Sequence, residues 1–180
     1  MWNTNLKDWE KVNKEVYKFC LDQAEKRLKD VIDEGEKITS RSYTLIGVLI
    51  PVLSICVGIV LKYVIGNVTF DLVVYLSIIC VVILGYSLWQ LSLLISIRKV
   101  WNNGTEPMNL CKSEFIDFGF RNEEDTIKYL MLSEIEQVQH KIDNNKSINS
   151  VRIVKFSNCL KISIATTITI LISLLCLAII

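Results

Sequence analysis

Three long stretches without a charged residue constrain what this chain can fold into. They run from Ser42 to Leu61, from Leu72 to Ile97 and from Ile162 to Ile180. A helix rises about 1.5 Å per residue and the hydrocarbon core of a bilayer is about 30 Å thick, so about 20 apolar residues span it. The sequence therefore predicts an all-α integral membrane protein with three transmembrane helices.

The absence of charge, more than the hydrophobicity itself, decides between a membrane span and a buried core helix. Twelve Leu, Ile or Val residues lie between Leu45 and Leu61. Together they favour insertion by roughly 5 kcal/mol, and two central charges would cancel that gain. The alternative is a buried hairpin of a soluble protein. A chain of 180 residues has too little other apolar surface to bury three such helices.

The distribution of Lys and Arg predicts how the chain crosses the membrane. Nine lie between Met1 and Arg41 and ten between Arg98 and Lys161, whereas only Lys62 lies between the first two spans. The positive-inside rule then places the N-terminus and the middle segment in the cytoplasm and the C-terminus outside. We expect no cleavable signal peptide, because the first apolar run follows a charge-rich, helix-forming segment of some forty residues.

Four regions follow from this reading. A cytoplasmic amphipathic helix occupies residues 1–41, and a transmembrane hairpin occupies residues 42–97, with spans near 42–65 and 72–97. A cytoplasmic loop and helices fill residues 98–160, and a C-terminal transmembrane helix fills residues 161–180. The second apolar run is about 39 Å long as a helix, so it must tilt or project into the cytoplasm.

The N-terminal region predicts a helix from Leu6 to Ile38 with a narrow apolar stripe, and Gly35 is a possible bend before the first span. We expect the stripe to pack on another helix or on its copy in a neighbouring subunit. A membrane-surface helix is the alternative, but such helices are usually net basic and this one is neutral. The residues assigned to oligomerisation are Trp9, Val12, Val16, Phe19, Leu28 and Val31.

The middle segment predicts an irregular stretch followed by two helices. Turn-forming residues fill Asn102 to Phe120, and the acidic sequence after Asn122 favours a helix start. We expect that helix to end near Ile142, at the sequence Asp-Asn-Asn. A last helix then begins near Ser147 and continues into the third span.

Small residues follow one face of the first span. Gly47, Pro51, Ser54 and Gly58 are four, three and four residues apart. In lipid, such residues let helices approach closely, and a neighbouring helix can satisfy the carbonyl that proline leaves without a donor. The stripe predicts a kinked contact face, either within one chain or between subunits or along a pore.

The third span carries a mildly polar stripe of its own. One reading is interhelical hydrogen bonding or back-bonding to the helix's own carbonyls. The other is the lining of a narrow, uncharged pore in a homo-oligomer, because one chain with three spans cannot enclose a channel. The stripe consists of Ser163, Thr166, Thr169, Ser173 and Cys176.

No motif for chemistry is apparent. His140 is the only histidine, no nucleophile motif or glycine-rich phosphate loop accompanies it, and the six cysteines form no CxxC pair. The spans contain no acidic or basic residue for a proton relay. We therefore expect no enzyme activity, no cofactor and no metal site. The net charge of +1 gives no case for direct nucleic-acid binding.

The layout resembles one known family. A cytoplasmic helix, then ITSRSYTLIGVLIPVLSICVGIV and a second span, is similar to the SLATT-type membrane proteins of bacterial conflict systems, over roughly Asp8 to Trp101. This chain adds a third span. The resemblance implies an effector that oligomerises in the bacterial inner membrane and breaches it when a cytoplasmic sensor protein or a small signalling nucleotide reports infection. The alternative is a membrane scaffold or anchor subunit that docks a soluble partner through its cytoplasmic helices.

Overall fold

A computed structural model of the chain describes residues 9–66, 72–96, 100–102, 104 and 123–179. Within them lie three long α-helices: α1 at Lys14–Ile65, α2 at Leu72–Ile95 and α3 at Glu123–Ile179. A short 3₁₀ turn at Trp9–Lys11 precedes α1. Each of the three helices is long and apolar enough to cross a membrane. The chain is therefore an all-helical, multi-pass membrane protein.

Helix α1 begins later than the sequence indicates and then continues further. The side chain of Asn13 accepts a 3.0 Å hydrogen bond from the backbone N–H of Glu15, so the helix starts behind an Asn cap. The predicted start at Leu6 lies outside the described residues, and the predicted helix is wrong for Trp9 to Asn13. The expected bend at Gly35 and the proline at Pro51 do not interrupt α1.

Helix α3 corrects the predicted break between Ile142 and Ser147. It is continuous through Asp143, Asn144 and Asn145. Asn usually disfavours a helix interior because its amide competes for nearby backbone groups. Here the Asn145 amide bonds to the backbone of Trp101 instead, and the Asp143 carboxylate accepts a 2.9 Å hydrogen bond from Gln139. The helix therefore keeps its own backbone hydrogen bonds.

The chain divides into two compact units. The first, here called the charged unit, comprises Met1–Gly35 and Lys99–Asn149. The second, here called the membrane unit, comprises Glu36–Arg98 and Ser150–Ile180. Each unit contains its own apolar core among the described residues.

Buried positions in both units follow alternating steps of three and four residues, the spacing of helices that pack at a shallow angle. In the charged unit, α1 buries Leu28 and Val31 against Val138 and Ile142 of α3. In the membrane unit, the core is built from all three helices: Leu49, Cys56, Cys80, Leu84, Leu91, Leu94, Cys159 and Ile170.

Candidate functional site

Arg152 joins the three helices of the membrane unit. Its guanidinium donates a 2.7 Å hydrogen bond to the carbonyl of Leu94 and a 2.8 Å hydrogen bond to the hydroxyl of Thr39. Only 7% of the residue is exposed. Leu94 lies in the last turn of α2, where carbonyls lack helical donors and the helix dipole favours a cation. The arginine therefore caps α2 and ties its end to α1 and α3.

A shared groove indicates the register of α2 against α3. Cys80 and Thr166 line the same groove, and each lies fourteen residues along its helix from Leu94 or Arg152. Fourteen residues of helix correspond to about 21 Å, so α2 and α3 run antiparallel with matched rise. Arg152 contacts Thr39 and Leu94, and we call their common depth along the helix axes the Arg152 level. The distance of any other residue from this level, measured along its helix, follows from its residue number at about 1.5 Å per residue.

Small polar side chains fill much of the interior of the membrane unit. Ser42, Ser77 and Ser87 are all buried, with at most 7% of each residue exposed. The hydroxyl of Ser42 donates to the carbonyl of Ile38 at 2.8 Å, and that of Ser87 to the carbonyl of Ile83 at 3.0 Å. Such residues let helices approach closely in lipid. The sequence interpretation missed them, although the spacing of three and four residues was present in α2, at Ser77, Cys80, Leu84, Ser87, Leu91 and Leu94.

The polar stripe of the third span is divided between two environments. Ser163 and Thr166 are buried, 2% and 7% exposed, so within this chain they pack helices. Thr169 is exposed and Ser173 is half-buried. The side chain of Cys176 lies outside the described residues.

Back-bonding satisfies most hydroxyls of this stripe. Thr166 donates to the carbonyl of Ile162, Thr169 to that of Ala165 and Ser173 to that of Thr169, at 2.9 to 3.0 Å. Ser163 differs: its Oγ is buried and has no hydrogen-bond partner in the described part of the chain. A buried hydroxyl without a partner costs stability.

The small-residue stripe of the first span faces away from the core of its own chain. Gly47, Pro51, Ser54 and Gly58 are all exposed. A Cβ built at either glycine meets no other atom within 4 Å. Because proline has no N–H, the carbonyl of Gly47 loses its usual helical donor on this open face. Ser54 donates to the carbonyl of Ile50 at 2.9 Å.

A groove opens between α2 and α3 on the membrane unit. Its volume is about 310 Å³, and its walls are apolar apart from two threonines and a cysteine. Ala165, Cys80 and Thr166 are the smaller residues of its lining, beside Leu76, Ile79, Ile83, Ile162 and Thr169. The groove begins about 15 Å from the Arg152 level and ends at about 27 Å.

The predicted oligomerisation stripe begins at Trp9, before α1, and occupies more than one face of the charged unit. Leu28 and Val31 are 0% and 1% exposed in the unit's own core. The ring of Trp9 lies 5.9 Å from that of Tyr129 in α3, and Val12 is half-buried.

Two members of this stripe remain at the surface: Val16 is 50% exposed and Phe19 64% exposed. The five-residue step from Phe19 to Ala24 moves the stripe round the helix, because it adds about 140° to whole turns. Nearby Tyr17 is 4% exposed and donates a 3.0 Å hydrogen bond to the carbonyl of Trp9. Burial raises the pKa of this phenol above its usual value.

Buried asparagines hold the charged unit together. Asn145 exchanges two hydrogen bonds with the backbone of Trp101, accepting from its N–H at 3.2 Å and donating to its carbonyl at 2.9 Å. One turn later, Asn149 donates to the carbonyl of Val31 at 2.8 Å. His140 contacts the Trp101 ring edge-on at 5.9 Å.

Among the residues that the structure describes, no cluster of three or more His, Cys, Asp or Glu side chains is arranged to hold a metal ion. Comparison with protein-family models, with curated proteins and with solved structures finds no match for this chain.

Proposed function

We propose that this chain is a non-enzymatic subunit of a homo-oligomer in the bacterial inner membrane that permeabilises the membrane as an antiviral defence effector. In this proposal the N-terminus is cytoplasmic and the C-terminus is outside, as the positive-inside rule predicts. A cytoplasmic sensor protein or a small signalling nucleotide triggers it. The defence role comes from the family resemblance, whereas the oligomer is argued from the membrane unit.

One observation carries the assembly. The chain buries Ser42, Leu49 and Cys56 of α1 in its own core, and this leaves Gly47, Pro51 and Gly58 on the opposite side of the same helix. That side combines small residues with a carbonyl deprived of its donor by Pro51. Backbone groups without partners are costly in hydrocarbon, so a second helix that covers this face is favoured.

The continuity of two helices supports a triggered effector. Helices α1 and α3 each extend without interruption from the charged unit into the membrane unit. A ligand that changes the charged unit therefore acts on helices that themselves enter the lipid. In the membrane unit, Arg152 joins α1 and α3 to α2, so a movement of α1 and α3 is transmitted to α2.

The polar stripe of the third span supplies the candidate pore lining. Ser163 and Thr166 are occupied in the chain's own core and Thr169 lines the α2–α3 groove, so the proposed lining begins at Ser173. The Ser173 hydroxyl bonds to the helix's own carbonyl at Thr169 and keeps lone pairs that accept hydrogen bonds from water. A narrow, uncharged path of this kind needs several copies of the helix.

Ion flux from liposomes tests the proposal. The purified chain, reconstituted at increasing protein-to-lipid ratio, is expected to release trapped potassium with a steep dependence on protein density. Ser173→Leu should reduce the flux, and Ile172→Leu, at an exposed neighbouring position, should leave it unchanged. In cells, induction should depolarise the membrane. A chain that neither releases potassium nor depolarises cells in the presence of its trigger would contradict the pore function.

A scaffold or anchor subunit is the second candidate function. The exposed apolar pair Val16 and Phe19 of the charged unit favours it, because apolar side chains exposed together offer a docking surface for a soluble partner. An anchor should be inert when expressed alone and should co-purify with one partner in stoichiometric amount. Loss of that partner on Phe19→Glu, without change in potassium flux, would support this function over the pore.

A further inference from the structure

We propose that the α1 face formed by Gly47, Pro51, Ser54 and Gly58, here called the glycine face, docks into the α2–α3 groove of a neighbouring copy. This inference rests on the proposed function, since it names the contact by which the subunits assemble. The contact is heterologous: each copy presents a face on one side and a groove on another, so the arrangement continues from copy to copy in the plane of the membrane.

Membrane depth is the first argument. Copies of one chain insert with the same orientation, so two surfaces can meet only if they lie at the same depth. From the Arg152 level, which Thr39 shares, the glycine face begins about 12 Å into α1 and ends at about 28 Å. The groove extends from about 15 Å at Ile162 to about 27 Å at Leu76. The two surfaces therefore occupy the same layer of the membrane.

Shape is the second argument. A Cβ added at Gly47 or Gly58 meets nothing within 4 Å, so the helix is narrow and open along this face. The groove has small residues, among them Ala165 and Cys80, between larger aliphatic side chains. A narrow helix surface lets the backbone approach such a floor closely, which is how helices gain packing energy in lipid. Two copies of the glycine face, packed against each other, would leave the groove unfilled.

Charge complementarity is the third argument. The Gly47 carbonyl, which Pro51 deprives of its helical donor, is a partial negative charge about 12 Å from the Arg152 level. On α2, Tyr86 lies three residues from Ile83 of the groove wall and, like the Gly47 carbonyl, about 12 Å from the Arg152 level. The Tyr86 hydroxyl accepts a 3.1 Å hydrogen bond from Gln90, so its own proton is available to a carbonyl. The exposed ammonium group of Lys161 adds a positive charge on α3 at this level.

The experiment fills each surface separately in the full chain and measures subunit number by native mass measurement from lipid nanodiscs. Gly47→Leu with Gly58→Leu blocks the face, and Gly85→Leu is the matched control, since Gly85 is an exposed membrane glycine with nothing within 4 Å of its Cβ. Ala165→Phe fills the groove, and Ile164→Phe is its control, because Ile164 is exposed but does not line the groove. We expect both blocking variants to be monomeric and both controls to assemble as wild type.

Mixing the two blocked variants tests the heterologous geometry. The face of the Ala165→Phe copy is intact and so is the groove of the glycine-face variant, so the mixture should form dimers that grow no further. Oligomers of wild-type size from either blocked variant, or no dimers in the mixture, would overturn this inference while leaving the proposed function intact. In that case the groove holds a lipid acyl chain or stays open to lipid. A wild-type chain that is monomeric at every protein-to-lipid ratio would overturn both this inference and the proposed oligomeric function.

Discussion

A guanidinium nitrogen of Arg152 lies 2.7 Å from the carbonyl oxygen of Leu94, at the end of α2, and both residues are buried. The same nitrogen lies 2.8 Å from the hydroxyl of Thr39 in α1. One side chain on α3 thus contacts the two other helices of the membrane unit. The carbonyls of a last helical turn need donors, and here a cation supplies one where water has little access.

Replacing Arg152 by Met should destabilise the membrane unit by about 2–3 kcal/mol, because hydrogen bonds to charged groups are strong and the Leu94 carbonyl stays buried. The unbranched Met keeps most of the packing volume. Unfolding titrations in mixed micelles, followed by circular dichroism, measure the loss.

Thr39→Val is the matched control, since it removes one neutral hydrogen bond and should cost only about 1 kcal/mol. Equal losses for the two variants would mean that the carbonyl of Leu94 does not depend on the arginine.

Ser163→Ala should stabilise the folded chain by about 1 kcal/mol. The Ser163 Oγ is buried without a hydrogen-bond partner, so its removal relieves a desolvation cost and leaves little cavity. The midpoint of the same micelle titration should rise.

Ser42→Ala provides the comparison, because Ser42 is equally buried but donates to Ile38 at 2.8 Å. Its midpoint should stay level or fall slightly. A lower midpoint for Ser163→Ala would indicate that this hydroxyl has a partner in the assembled protein, such as a trapped water or a neighbouring copy.

The existence of the spans could be predicted from the sequence because the absence of charge leaves little alternative for stretches of this length. Which face of each span packs inside the chain could not be predicted. The second span is apolar on every side, so hydrophobicity does not distinguish its buried face, and the informative residues are the small ones, Ser77 and Ser87. The first span carries two small-residue stripes. Nothing in a single sequence says that Ser42 and Cys56 pack within the chain while Gly47 and Gly58 face outward.

The continuous α3 could not be predicted for a related reason. Asp-Asn-Asn is typical of a helix end, and local propensity predicts a break there. The amide of Asn145 is satisfied by Trp101, forty-four residues earlier in the chain, and that tertiary contact overrides the local preference. A hint was present in the three-and-four spacing of Ile142, Asn145, Asn149 and Arg152, since polar residues that continue an apolar seam usually carry buried hydrogen bonds.

Asn145→Leu should loosen the contact between Trp101 and α3. The substitution removes both hydrogen bonds and leaves the backbone N–H and carbonyl of Trp101 without them, at a cost of about 1–3 kcal/mol. Hydrogen–deuterium exchange, read at the peptide that contains Trp101, should speed up by one to two orders of magnitude.

Asn144→Leu serves as the control at a neighbouring, half-buried position. Exchange as slow in Asn145→Leu as in the wild type would show that the paired hydrogen bonds do not hold this segment.

The last prediction separates folding from association in the charged unit. Val16 and Phe19 are exposed on α1, whereas Leu28 is fully buried against Val138 and Ile142. Val16→Glu with Phe19→Glu should leave the helical content and the unfolding midpoint within about 0.5 kcal/mol of wild type, as surface substitutions usually do. Leu28→Glu should unfold the charged unit, because a lone carboxylate in an apolar core costs several kcal/mol.

If the exposed pair Val16 and Phe19 docks a partner or a second copy, the double variant should lose that association in pull-down and mass measurements while remaining folded. A folded double variant with undiminished association would place the docking surface elsewhere. An unfolded double variant would mean that Val16 and Phe19 belong to the unit's own core.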